Sequence, residues 1–243
     1  MRRALATFGM AWLVAFPVQA ATVLYYADSI IGTNYVTPAL TAGSHTVTTA
    51  VSWADFNTKL AGGGYQLVIA LNQNSGIGAD LPTMQNYIAG GGRVILADWT
   101  QTATFATALG GGYTGTTNQN SLNFLVPALS AGITNPQVLS NPGWGTYSMG
   151  ETVGGSSTSV CSFPNSNSCA VSGNGGRTLL LGFLSDTPSA TDGVRLWTNL
   201  INFVLTGAGP TTLQPVPTLG QWSLLALALL LAAVAGLYLR RRG

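Results

Sequence analysis

The sequence predicts a three-layer α/β domain on a parallel sheet, with a β-rich insertion, bounded by one segment for export and one for membrane attachment. Three observations predict it. Between residues 22 and 109, short apolar runs alternate with stretches of helical period. Two of those runs, Leu67-Val68-Ile69-Ala70-Leu71 and Val94-Ile95-Leu96-Ala97, are apolar throughout, as strands covered on both faces require. The links are short and rich in glycine, as in Gly62-Gly63-Gly64 and Gly90-Gly91-Gly92. Such alternation predicts helices on both faces of a parallel sheet with right-handed crossovers.

The elements follow in order. Residues 22–26, β-branched and aromatic, read as a buried first strand ending before Asp28. A short helix over 34–40 is limited by Pro38, and the Val- and Thr-rich alternation over 45–51 reads as a second strand. Ser52 with Asp55 forms a capping-box pattern, after which Trp53, Phe56 and Leu60 fall on one helical face. The third strand covers 66–71. Asp80 caps the next helix, Pro82 sits in its first turn, and Leu81, Met84 and Ile88 form its buried stripe. The fourth strand covers 93–98 and a weaker helix 102–109.

The texture then changes. Residues 110–176 hold no Lys or Arg and one acid, Glu151, and are dense in Gly, Asn, Ser and Thr. Phe124, Trp144, Tyr147 and two cysteines predict a packed, β- and loop-rich excursion rather than disorder. Residues 177–183 return to the core as a late strand. A final helix over 191–205 places Val194, Trp197, Ile201 and Val204 on one face and stops at Gly207.

The two ends carry addresses. Arg2 and Arg3, an apolar stretch over 4–16 and Val18-Gln19-Ala20 read as a secretory signal peptide over 1–20. At the other end, the apolar run over 223–239 would span roughly 25 Å as a helix, slightly less than a hydrocarbon core. Trp222 and Tyr238 suit the two interfaces, and Arg240, Arg241 and Arg242 form a stop-transfer cluster on the cytoplasmic side. The alternative for this run is a buried helix of a soluble domain; Leu and Ala on every face argue against it. The predicted organisation is therefore a signal peptide over 1–20, an α/β domain over 21–207, a linker over 208–215 and a terminal segment over 216–243. The body would lie on the periplasmic side of the inner membrane, held by its C-terminal anchor.

Removing both ends inverts the charge. The formal +2 includes five terminal arginines. The body keeps Lys59, Arg93, Arg177 and Arg195 against Asp28, Asp55, Asp80, Asp98, Glu151, Asp186 and Asp192, four minus seven, or −3. The basicity thus belongs to the targeting segments and leaves no footprint for nucleic acid. In an oxidising compartment Cys161 and Cys169 are expected to pair; two free thiols or a metal site are the alternatives, and no His or carboxylate stands between residues 156 and 176 to complete a metal site.

Val216-Pro217-Thr218-Leu219, then Trp222, the apolar run and the arginine cluster resemble the IPTL-CTERM protein-sorting domain, a relative of the PEP-CTERM signals. Val216 stands where that family usually has Ile, and Gly220, Gln221 and Ser223 stand where Ser, Glu and Gly are common. The resemblance implies recognition by an exosortase-like membrane protease, cleavage near the motif and transfer of the body to the cell surface. Secretion translocase and signal peptidase would act first.

The body carries a more diffuse resemblance. Tyr65-Gln66-Leu67-Val68-Ile69 before a helix, Ile88-Ala89-Gly90-Gly91-Gly92-Arg93-Val94-Ile95-Leu96, and Gly176-Arg177-Thr178-Leu179-Leu180-Leu181-Gly182-Phe183 before the last helix are similar to the flavodoxin-like, class I glutamine amidotransferase-like fold. Its catalytic members place a Cys at a sharp turn after a strand and a His after a late strand. Here Asp98-Trp99 follows the fourth strand, both cysteines lie in the excursion, and no His follows a late strand. Glutaminase chemistry is not implied.

Candidate site residues are few. His45, the single histidine, falls at the amino edge of the sheet, whereas ligands in such sheets gather at the carboxyl edge, so a His-dependent triad is not expected. Asp28, Asn72, Asn74, Asp98 and Asp186 each follow a strand and would share the carboxyl rim. With Trp99 they could hold a cation or stack a sugar; alternatively they cap turns and helices. The Gly triplets are helix stops without phosphate-loop spacing. The reading is a non-enzymatic binding or structural envelope protein without cofactor or metal, with extracellular polysaccharide as a candidate partner. The alternative is an envelope hydrolase or carbohydrate-active enzyme using the acidic rim.

Overall fold

The computed structural model describes residues 20–207. The signal peptide, the linker over 208–215, the sorting segment and its apolar helix over 223–239 lie outside the described residues, apart from residue 20. Among the described residues no helix is long and apolar enough to cross a membrane.

The first half runs β1 (Thr22–Ala27), α1 (Val36–Ala42), β2 (Thr46–Thr49), α2 (Trp53–Gly62), β3 (Leu67–Asn72), α3 (Leu81–Ala89), β4 (Val94–Asp98) and α4 (Ala103–Leu109). β1 pairs in parallel with β2 and β3, and β4 in parallel with β3. After the insertion, β11 (Thr178–Leu181) adds in parallel beside β4, and α6 (Gly193–Thr206) closes the domain. The parallel order is therefore β2-β1-β3-β4-β11. The direction of winding reverses between β1 and β3, which makes their carboxyl ends the topological switch point.

The period of two along each central strand builds two cores. Val23 and Tyr25, Leu67, Ile69 and Leu71, Ile95 and Ala97, and Leu179 and Leu181 face α1 and α6. Leu24 and Tyr26, Val68 and Ala70, Val94 and Leu96, and Leu180 face α2, α3 and α4. This explains why β3 and β4 read as unbroken apolar runs: both faces are buried. The edge strand β2 stays largely exposed.

Local signals place the helices. Asn34 Oδ1 accepts from the N–H groups of Val36 and Thr37, which starts α1 ahead of Pro38. Ser52 Oγ accepts from Asp55 N at 3.2 Å, but Asp55 does not complete a reciprocal box: its carboxylate accepts from Val51 N, one residue before the cap, and pairs with Lys59 one turn on. Asp80 caps α3 by accepting from Thr83 N at 3.0 Å. Gly193 lets α6 approach α1, because a Cβ there would come within 2.6 Å of the Tyr35 ring.

The insertion is not a separate excursion. It contributes β5 (Gly111–Thr117), β6 (Ser121–Phe124), the short α5 (Pro127–Ser130), β7 (Gln137–Val138), β8 (Ser148–Val153), β9 (Thr158–Ser162) and β10 (Ser168–Gly173). β10 is antiparallel to β11, so the central sheet continues through β10, β9, β6 and β7, with β8 and β5 branching from β10. Leu122, Phe124, Val160 and Phe163 belong to the same core as α1 and α6. Cys161 and Cys169 form a disulfide that ties β9 to β10, both fully buried.

Candidate functional site

The rim at the carboxyl edge separates into clasps, one for each acid. Asp28, after β1, accepts from three successive backbone N–H groups of the loop after β3: Gln73 at 2.6 Å, Asn74 at 3.0 Å and Ser75 at 2.7 Å, with Ser75 Oγ at 2.8 Å. That loop folds around the carboxylate, which compensates donors no ladder can use. Gln73, buried beside it, donates to Ser29 O at 2.6 Å and accepts from Ser185 N at 2.5 Å, linking the loops after β1, β3 and β11.

Asp98, fully buried after β4, accepts from Asn72 Nδ2 at 2.7 Å, Thr100 N at 3.0 Å, Thr100 Oγ1 at 2.6 Å and Thr102 N at 2.8 Å. The last two residues lead into α4, so Asp98 fixes the strand-to-helix turn. Trp99 extends the β3–β4 pairing through its N–H to Asn72 O at 2.8 Å and is half-buried. Asp186 accepts from Ile31 N at 2.9 Å, Gly32 N at 2.7 Å and the Trp144 indole N–H, 2.9 Å from Oδ1. Trp144 comes from the insertion, so this clasp holds the insertion and the β1–α1 loop to the end of β11.

All five predicted rim residues lie at this edge. Asn72 and Asp98 contact each other, Asp28 and Asp186 are joined through Gln73 and Ser185, and each of the three acids has its own set of donors. Among the described residues no group of three or more His, Cys, Asp or Glu side chains is placed to hold a metal ion. His45 accepts from Ala21 N at 3.1 Å through Nδ1 at the amino edge, and burial holds its pKa below the ordinary range.

Sequence reasoning missed Gln73, Thr100 and Trp144 as parts of the rim. A polar Gln directly after an apolar strand was the available signal for the first. It also passed over Glu151. This residue sits on β8 opposite Tyr113 of β5 and Ser168 of β10, is 2% exposed, and neither carboxyl oxygen makes a hydrogen bond. Its chain packs over Gly182, where a Cβ would come within 2.1 Å of Met149 O. Burial pushes the Glu151 carboxyl well above its ordinary range. The Tyr113 hydroxyl is also buried without a partner, and burial raises it, helped by the charges of Asp98 and Glu151. Its being the only charged residue among the 67 from 110 to 176 was the signal for this one.

The comparisons with known proteins bear on the two parts of the chain separately. Residues 214–242 match the IPTL-CTERM motif, which marks an exported, surface-sorted protein and implies processing by an exosortase-type membrane protease. No curated protein matches the chain. Solved structures of similar architecture include a glutamine amidotransferase from Thermotoga maritima, 10% identical, covering 74% of this chain and 81% of that one at a TM-score of 0.47. A glutamine amido transferase from Methylobacillus flagellatus is 10% identical, with 78% and 94% covered and a TM-score of 0.44. The alpha-L-fucosidase isoenzyme 2 of Paenibacillus thiaminolyticus is 12% identical over 76% of this chain and 32% of its own, at 0.46. At these identities the turn after β4 is read from this chain alone: it carries Asp98, Trp99 and Thr100, and the two cysteines are bonded to each other elsewhere.

Proposed function

We propose that this chain is an exported envelope protein whose α/β domain binds or scaffolds rather than catalyses. It is delivered by a signal peptide over 1–20, held by the apolar helix over 223–239 with Arg240, Arg241 and Arg242 inside, and processed near Pro217-Thr218-Leu219. The observation that carries the reading is the IPTL-CTERM match at residues 214–242. The occupied rim supports the non-catalytic half: Asp28, Asp98 and Asp186 each accept several hydrogen bonds from surrounding loops. A general base or nucleophile needs a lone pair aimed at substrate.

The test is fractionation of the full chain, followed with an antibody raised against the 21–207 domain, in cells with and without the exosortase-type protease. Appearance at the surface as a shortened form only when the protease is present is expected. A full-length, periplasmic or cytoplasmic product in both strains contradicts the reading. The alternative, a hydrolase working through the rim, requires Asp98→Asn or Asp28→Asn to abolish hydrolysis of an envelope polysaccharide while leaving the fold intact.

A further inference from the structure

The amino edge of the sheet holds a cleft that the sorting signal and the rim do not involve. It has a volume of about 350 Å³ and lies between the start of β3 and the turn from α3 to β4. Tyr65, Gln66, Asn86, Tyr87 and Arg93 line it together with the glycines at 90–92. We propose that this cleft binds a sugar residue of an acidic, uronate-bearing polysaccharide, a proposal that rests on the binding reading above.

Four observations carry it. Two tyrosines line the cleft, and one is held in place: the Tyr87 hydroxyl donates to Tyr65 O at 3.2 Å and accepts from Arg93 N at 3.3 Å, which fixes the Tyr87 ring. Gly92 lies against that ring so closely that a Cβ would come within 2.4 Å of it. Aromatic walls with a few placed polar groups are the usual make-up of a small-molecule cleft.

Polar groups around the wall are oriented but uncommitted. Gln66 Oε1 accepts from Thr22 N at 3.1 Å, and on this exposed residue the Nε2 hydrogens remain to be given. Arg93 Nε donates to Val204 O at 3.1 Å, which anchors the guanidinium and leaves its Nη nitrogens for another acceptor. Asn86 is exposed on α3.

The surroundings select an anion. Among the described residues the one ion pair is Lys59 with Asp55, so no carboxylate there neutralises Arg93. Arg177 donates to Ile88 O at 2.9 Å and Gly92 O at 3.3 Å, which offsets the negative end of α3 beside the cleft. The Asp residues stand at the other edge: three follow strands and Asp55, Asp80 and Asp192 stand at helix starts. An anchored guanidinium is suited to bidentate binding of a carboxylate.

The size fits as well: the cleft sits at the lower end of ligand sites, which suits one or two sugar rings rather than a peptide.

Calorimetry on the purified full chain in detergent tests this, with oligogalacturonate as probe and a neutral malto-oligosaccharide of equal length as control. Salt-sensitive binding of the acidic oligomer is expected, with neutral binding at least about tenfold weaker. Gln66→Ala and Arg93→Lys should each weaken it roughly tenfold or more, the second because the ammonium lacks the fork. Asp28→Asn should leave it unchanged. Gln66 is exposed, so its variant does not depend on folding, and circular dichroism checks Arg93→Lys. No binding, equal binding of both oligomers, or loss only in Asp28→Asn overturns the proposal. Failure here with protease-dependent surface delivery intact separates this proposal from the sorting reading.

Discussion

The two edges of the sheet use their polar side chains in opposite ways. At the carboxyl edge, Asp98 accepts hydrogen bonds mainly from its own loop, Asp28 from the loop after β3 and Asp186 from the loop after β1, and Gln73 uses both ends of its amide internally. At the amino edge, Gln66 and Arg93 each use one side-chain atom for anchoring, and their other side-chain nitrogens make no hydrogen bond among the described residues. The difference teaches that position in the fold names where a site is expected, while hydrogen-bond accounting decides which side chains remain available to a ligand.

The comparison breaks most readily at Asp98. Replacing it with Ala strands several donors around a fully buried position. A loss of about 3–5 kcal/mol is expected, read as a fall in Tm of roughly 10 °C or more in a thermal melt. A loss within about 0.5 kcal/mol would mean the rim is not structural. Trp144→Phe keeps the ring and removes the indole donor to Asp186, with an expected cost of about 1–3 kcal/mol by denaturant unfolding. Loss of the disulfide through Cys161→Ser with Cys169→Ser should cost about 2–3 kcal/mol for so short a loop, a measure of how firmly β9 and β10 brace the inserted sheet.

Glu151 sharpens the comparison from within. Its native carboxyl titrates above the ordinary range because it is buried. Below that range both the folded and unfolded chains hold the proton and its contribution is complete. As pH rises, the unfolded chain releases the proton first, and stability falls until pH passes the raised native value. Melts across pH 5–9 should show this decline in the native chain and a flatter profile in Glu151→Gln; parallel profiles would contradict it. The smallest effect is expected at the amino edge. Asn86→Ala should change stability by less than about 0.5 kcal/mol, since the side chain is exposed.

Much of the α/β half was legible because its cues are local. The unbroken apolar runs of β3 and β4, the Ser52 and Asp80 caps and the glycine stops each carry a physical signature within a few residues. The insertion was legible only as packed and β-rich. Its place in the central sheet depends on β10 meeting β11 and on Val160 and Phe163 joining the core, contacts that no periodicity announces. The rim residues were found by position, since an Asp after a strand is visible. Whether such an Asp is occupied was not visible, because its donors come from 45 to 155 residues away in the cases of Gln73 N for Asp28 and Ile31 N for Asp186. Glu151 was visible as an acid and not as a buried one, because burial on β8 is set by β5, β10 and Gly182.

The most direct test of the account is amide hydrogen exchange of the full chain with and without oligogalacturonate. The account predicts slower exchange on binding at Gln66 and across 86–93, with the loops at 72–75 and 98–102 unchanged. Protection confined to those carboxyl-edge loops would contradict it.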